Sequence, residues 1–216
     1  MKLKKVAAIC GKTGIFQLID QVDENGEIVC QWLGDAAAFY PISGLPYMGM
    51  DNICAMFDVP EKKREKLLFR HGNATDSINW EDTDAGERQL DEPKLCVRHG
   101  GREMLLLRTS EGVTFIQEKY LEPLDNLDYL RLYERKIKGG GLYIVAKIGM
   151  VIQAVIMPMD VLTDSFVDNL DELTRMCRAA LLKKNRMQAM QEQEDRKQEQ
   201  GALFQVSEGA GEGAGE

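Results

Sequence analysis

Two short patterns carry the residue types from which this chain could build a reactive centre. Glu134-x-Lys136, with Asp125 or Asp128 upstream, supplies the side chains of a metal-dependent nuclease core. On a strand, residues two apart share a face, which is the arrangement that reaction needs. A solvated strand of alternating charge gives the same pattern. Cys96-x-x-His99 has half the spacing of a zinc site, but no second half follows, and an odd separation on a strand puts the pair on opposite faces. Gly11-Lys12-Thr13 invites comparison with a phosphate loop, yet Val6 stands where that motif requires its first glycine. With two histidines in 216 residues, serine and cysteine nucleophiles lack a base. No catalytic residue, metal ligand or cofactor is assigned on these grounds, and the chain reads as non-enzymatic with a nuclease as an alternative.

Binding is better supplied. Residues 51–70 resemble a helix-turn-helix, with an apolar first helix over 52–57, a short turn ending in Val59, and a second helix over 60–70. Asp58 and Glu61 form a capping pair for that second helix, and Gly72 suits its end. Lys62, Lys66 and Arg70 then fall at i, i+4 and i+8, a basic ridge able to face phosphates. Asp58 stands where such turns commonly carry glycine, and Arg64 where the second helix normally puts an apolar residue. The alternative is an ordinary helical hairpin with a solvated face.

The C-terminal residues hold the most specific short motif. Gln200-x-x-Leu203-Phe204 resembles the peptide with which bacterial replication and repair proteins dock on the DNA polymerase sliding clamp. The resemblance implies that the Gln200 amide is hydrogen-bonded at the edge of a cleft while Leu203 and Phe204 fill an apolar pocket. Gly201 and Ala202 depart from the family's usual second and third positions. Around the motif, residues 188–199 are Gln, Glu, Asp, Arg and Lys with few breaks, and the chain closes on Gly, Ala and Glu. Such composition buries too little apolar surface to offset chain entropy, so a disordered tail over 188–216 is expected. The alternative reading is a latch onto the protein's own body.

The elements that must position these residues follow from pattern. The chain is 44% hydrophobic and 29% charged, enough for a real core, with a net charge of -8. Residues 73–93 hold seven acids and one base and have no period, so they read as an acidic linker. Before it, strands are expected at 6–10, 15–21, 27–33 and 38–42, with Asn25-Gly26 turning a hairpin and Pro41 confining the fourth strand to an edge or an end. After it come strands at 95–98, 104–109, 113–118, 132–137, 142–148 and 150–157. A helix over 165–182 is capped by Ser165 with Asp168 and carries a stripe of Phe166, Leu170, Leu173, Cys177, Ala180 and Leu181 that should cover the preceding sheet. Its acids lie early and its bases late, as the helix dipole favours.

The expected fold class is therefore α+β. A β-meander with a helix pair (1–72) precedes the linker, and an antiparallel sheet with its covering helix (94–187) precedes the tail (188–216). The longest apolar region, 142–159, is broken by Lys147, Gly149, Gln153 and Pro158, so no membrane span is expected. Five cysteines without an export signal favour a reducing cytoplasm. The expected function is an accessory or regulatory binding protein of bacterial type that docks a protein partner, the sliding clamp, through Gln200, Leu203 and Phe204. Nucleic acid would be touched through Lys62, Lys66 and Arg70. A helix-turn-helix regulator and a stoichiometric protein inhibitor are the competing readings.

Overall fold

The computed structural model describes the backbone of residues 2–124 and 127–208, and the side chains of 2–124 and 128–197. The architecture is α+β, as expected, and the chain divides into two units, Met1–Asp160 and Val161–Glu216.

The first element departs from the expected strand. Helix α1 (Leu3–Thr13) buries Val6, Ile9 and Cys10 on one face, the i, i+3, i+4 spacing of a helix. A short apolar run reads alike at either period, and here the lysines flanking it set the helical one. Gly14 closes α1 at φ 78° with its N–H on the Cys10 carbonyl at 2.9 Å.

Strands β1 (Ile15–Val22) and β2 (Ile28–Gly34) form the expected hairpin. Gly26 sits at φ 84° in its turn, and Asp23 accepts the N–H groups of Asn25 and Glu27 at 2.9 Å. Strand β3 (Ala38–Pro41) ends at Pro41. Helices α2 (Met50–Met56) and α3 (Glu61–Arg64) lead to β4 (Leu68–Asn73), which runs parallel to β1. The second expected helix is thus one turn long, and its predicted C-terminal half is a sheet edge.

Then come β5 (Arg88–Gln89), β6 (Cys96–His99), β7 (Arg102–Thr109) and β8 (Gly112–Gln117), followed by β9 (Leu130–Lys136), β10 (Leu142–Ile148) and β11 (Val151–Ile156). The large sheet has the order β4-β1-β2-β3-β11-β10-β9-β5, and β6-β7-β8 form a small one. The boundary expected at 73–93 therefore does not separate two sheets. Phe39 of β3 pairs with Val155 of β11, which joins strands from both sides of it.

Both faces of the large sheet are covered. On β10, Ile144 and Ala146 join one core with Val6, Ile9, Leu18, Ile53 and Leu107, while Tyr143 and Val145 join another with Ile19, Trp32, Phe39 and Trp80. Of residues 73–93, expected to link, 74–87 instead form a strap across that second face, Arg88–Gln89 are β5 and Leu90 joins the first core. Trp80 is buried there, with its ring 5.0 Å from Trp32 and 5.7 Å from Phe39.

In the second unit, helix α4 spans Asp164–Glu208. The residue that caps it is Thr163 rather than Ser165, since the Thr163 hydroxyl oxygen accepts the Phe166 N–H at 3.2 Å. Phe166 is buried, but Leu173, Cys177 and Leu181 of the expected covering stripe are exposed. The backbone of residues 188–208, read from composition as tail, continues the same helix. No helix among the described residues is long and apolar enough to cross a membrane.

Candidate functional site

A cleft of about 500 Å³ opens between the outer face of α1 and the segment that runs from the end of α2 to Leu67. Small residues make room on the α1 side. Ala7, Ala8 and Gly11 lie along the helix face, and a Cβ placed on Gly11 would meet nothing within 4 Å. The opposite wall is fixed by the end of α2. Asp58 adopts φ 50°, its N–H reaches the Ala55 carbonyl at 3.3 Å, and the Val59 N–H reaches the Cys54 carbonyl at 2.9 Å. This is a Schellman closure with aspartate in the left-handed position. Asp58 therefore ends the first helix and does not cap the second. Arg64, the residue out of place in a helix-turn-helix, donates from Nε to the Val59 carbonyl at 3.1 Å and ties α3 back to the closure.

The cleft combines two chemistries. Phe16 forms a buried floor, and Phe57, Val59 and Leu67 rest on the main core beside it. Lys4, Lys12 and Lys63 line the same space, with Asp58 the one acid among the lining residues. An apolar floor within reach of three ammonium groups suits a segment that carries an apolar side chain and carboxylates together. Bare nucleic-acid backbone would leave the apolar floor unmatched.

The basic ridge does not form. Lys62 lies on α3, Lys66 beyond it, and Arg70 on β4 opposite Gln17, so the i, i+4, i+8 relation of one helix is absent although all three are exposed. Residues 68–73 pair with β1 instead, where the Phe69 ring stacks on Phe16 with centroids 5.5 Å apart. The side chains of Gln200, Leu203 and Phe204 lie outside the described residues, and their backbone belongs to α4.

Glu134 of the nuclease pattern is buried and locked. Arg88 donates to both its oxygens at 2.9 and 3.0 Å, and the Ser110 N–H adds a third bond at 2.8 Å. Burial alone would raise its pKa, but these bonds outweigh that and hold it below the usual value. Lys136 is exposed, Asp128 sits in a short turn at Leu127–Tyr129, and Asp125 lies outside the described residues. Cys96 and His99 both fall on β6, where the Cys96 thiol approaches Glu118 Oε2 at 3.4 Å. Among the described residues, no three His, Cys, Asp or Glu come together as metal ligands.

Two polar clusters escaped the sequence reading because their members are far apart in the chain. Asp20 on β1 accepts Gln31 Nε2 at 2.7 Å and faces His71 Nε2 at 2.9 Å, while Gln31 also holds both polar backbone atoms of Met48. On the other sheet face, Glu87 receives Arg135 and Lys147. Both clusters are tied into backbone contacts and serve to fix loops. The cleft residues Lys4, Lys12 and Phe16 were missed for a different reason. A helical reading of residues 3–13 would have placed Lys4, Ala8 and Lys12 on one face at i, i+4 and i+8.

The chain matches no protein-family model, no curated protein and no solved structure.

Proposed function

We propose that this protein is a non-enzymatic accessory protein that works by capturing a protein partner. The observation that carries the reading is the cleft between α1 and Leu67, where an apolar floor and the lysines at positions 4, 12 and 63 share one space. Its ligand is a short acidic segment with an apolar side chain, presented by the partner. Docking on a bacterial sliding clamp through Gln200, Leu203 and Phe204 belongs to the same reading as a second contact. A cytoplasmic setting suits it, since all five cysteines are free thiols.

The test plugs the cleft from within. Gly11→Leu projects a side chain into open space without straining the backbone, and Lys4→Glu with Lys63→Glu reverses its charge. Cross-linking of the full chain in cells, read by mass spectrometry, should show a protein joined near the cleft in the wild type and lost in both variants. Both variants should keep the wild-type thermal midpoint. An identical set of cross-linked proteins for all three sinks the cleft as a capture site. Clamp docking is tested separately by surface plasmon resonance on purified clamp, and binding unaffected by Leu203→Ala with Phe204→Ala refutes it.

A further inference from the structure

Strand β4 is the outermost strand at one end of the large sheet, and its ladder is the parallel one with β1. In such a ladder alternate residues turn their backbone groups toward the neighbouring strand, and the rest turn them away. Both ends of the ladder fix which residues do which. The Leu68 N–H bonds the Gly14 carbonyl at 2.8 Å, and the Ala74 N–H bonds the Asp20 carbonyl at 2.8 Å. Residues 68, 70, 72 and 74 therefore face β1. Phe69, His71 and Asn73 direct their backbone N–H and C=O groups outward, where no hydrogen bond from a described residue meets them.

This edge lacks most of the devices that blunt sheet edges. It is six residues long, pairs with β1 without a bulge, and contains neither proline nor lysine. At the other end of the same sheet, β5 has two residues. Every residue of β4 except Phe69 is exposed, and none of them lines the cleft beside α1. An open edge of this length is a template for one more strand.

The side chains of β4 say what that strand carries. Each has one cross-strand neighbour on β1 and an open position on its other side. Leu68, 44% exposed, is opposite Ile15, and Phe69 stacks on Phe16, so both leave apolar surface that an apolar residue would extend. His71 is already held by Asp20. Arg70 is opposite Gln17, which is neutral, and has no ion pair among the described residues. We infer that the outer edge of β4 takes an extended segment of another protein, added antiparallel, with a carboxylate facing Arg70 and apolar side chains facing Leu68 and Phe69. In that pairing the residues facing Leu68 and Arg70 sit at non-hydrogen-bonded positions, where side chains approach most closely. A second copy of β4 does not fit, because Leu68–Asn73 contains no acid to answer Arg70 in any register.

The experiment is fluorescence anisotropy of a labelled peptide, Thr-Val-Thr-Glu-Ile-Val, titrated with the full chain. Added antiparallel, its Glu faces Arg70, its Ile faces Phe69 and its last Val faces Leu68. Saturable binding is expected. N-methylation of the Ile and of the second Thr should abolish it, because those N–H groups point at β4. N-methylation of the Glu and of the first Val, whose N–H groups point away, should leave it. Arg70→Glu should weaken binding about fivefold, and a peptide with Lys in place of its Glu should recover that loss. Trp32 and Trp80 both lie in the Met1–Asp160 unit, so an unchanged fluorescence midpoint shows that this unit of the variant remains folded. No saturation up to about 1 mM overturns the inference. So do equal effects of the two methylation patterns, or a charge exchange that recovers nothing. A dimer of the free chain that the peptide dissociates would put a second copy on the edge, and that also overturns it.

Discussion

Arg135 and Glu87 meet at 2.6 Å, with the guanidinium wholly buried beneath the strap. The same carboxylate takes Lys147 at 2.7 Å, and Arg135 also donates to the carbonyls of Asn79, Glu81 and Asp82. One side chain from β9 thus satisfies four groups of a segment that sequence alone would set free. Removing Glu87 leaves two buried cations without their carboxylate. Glu87→Ala should cost about 3–5 kcal/mol of unfolding free energy, measured by urea denaturation. A loss under about 1 kcal/mol would mean that the network is not what holds the strap.

The pH dependence follows from the same group. Burial pushes the Glu87 pKa up, but the bonds from Lys147 and Arg135 win and hold it below its usual 4.5. Asp84 and Glu134 are depressed in the same way, against their own burial. A carboxylate whose folded pKa is lower than its unfolded one contributes fully above the unfolded value, and that contribution disappears as pH falls through the folded one. The thermal midpoint should therefore drop steadily as pH is lowered from about 5 toward about 3. Glu87→Gln should be less stable at neutral pH and show a shallower acid slope. A slope equal to the wild type's would remove Glu87 from the account.

The turn between β2 and β3 has no tolerance at Gly34. A Cβ there would run into the Ala38 carbonyl oxygen, a backbone atom that accepts the Asp35 N–H at 3.2 Å. Asp35 fastens the same turn by accepting the N–H groups of Ala37 and Ala38 at 3.2 and 3.1 Å. Gly34→Ala should destabilise by about 3 kcal/mol or more. Gly72→Ala, whose Cβ would meet nothing within 4 Å, is the control and should stay near the wild-type midpoint.

Asp58 offers the opposite case. Its φ of 50° is a conformation that costs an ordinary residue free energy and glycine almost none. Asp58→Gly should raise stability by about 1 kcal/mol or less, and Asp58→Ala should lower it. Equal midpoints for the two variants would show that the left-handed closure of α2 is not under strain.

What the sequence revealed of this fold tracks how local each cause is. The β1–β2 hairpin was readable because Asn25-Gly26 and the alternation beside it act over a few residues. The strands at 104–109, 113–118 and 142–148 were readable for the same reason. Residues 73–93 were not, because what orders them comes from elsewhere. Trp80 needs Trp32 and Phe39, and Glu87 needs Arg135 and Lys147. Residues 68–70 read as helical from the Asp58–Glu61 capping pair and the Gly72 stop, while their structure is dictated by β1. Of the candidate site, Asp58 and Arg64 were noticed as misfits to a helix-turn-helix. They are the residues that close α2 and shape the cleft wall. Lys4 and Lys12 stayed hidden behind the misread first element.

The pairing of Phe39 with Val155 also constrains how the protein is made. Strand β3 has β2 on one side from early in synthesis, but its other neighbour, β11, leaves the ribosome only after β4 to β10. Until then β3 is an open edge carrying Phe39 and Tyr40, both buried in the finished sheet. The nascent chain must wait with that edge exposed, so its folding is late, nonlocal and vulnerable to association with other emerging chains.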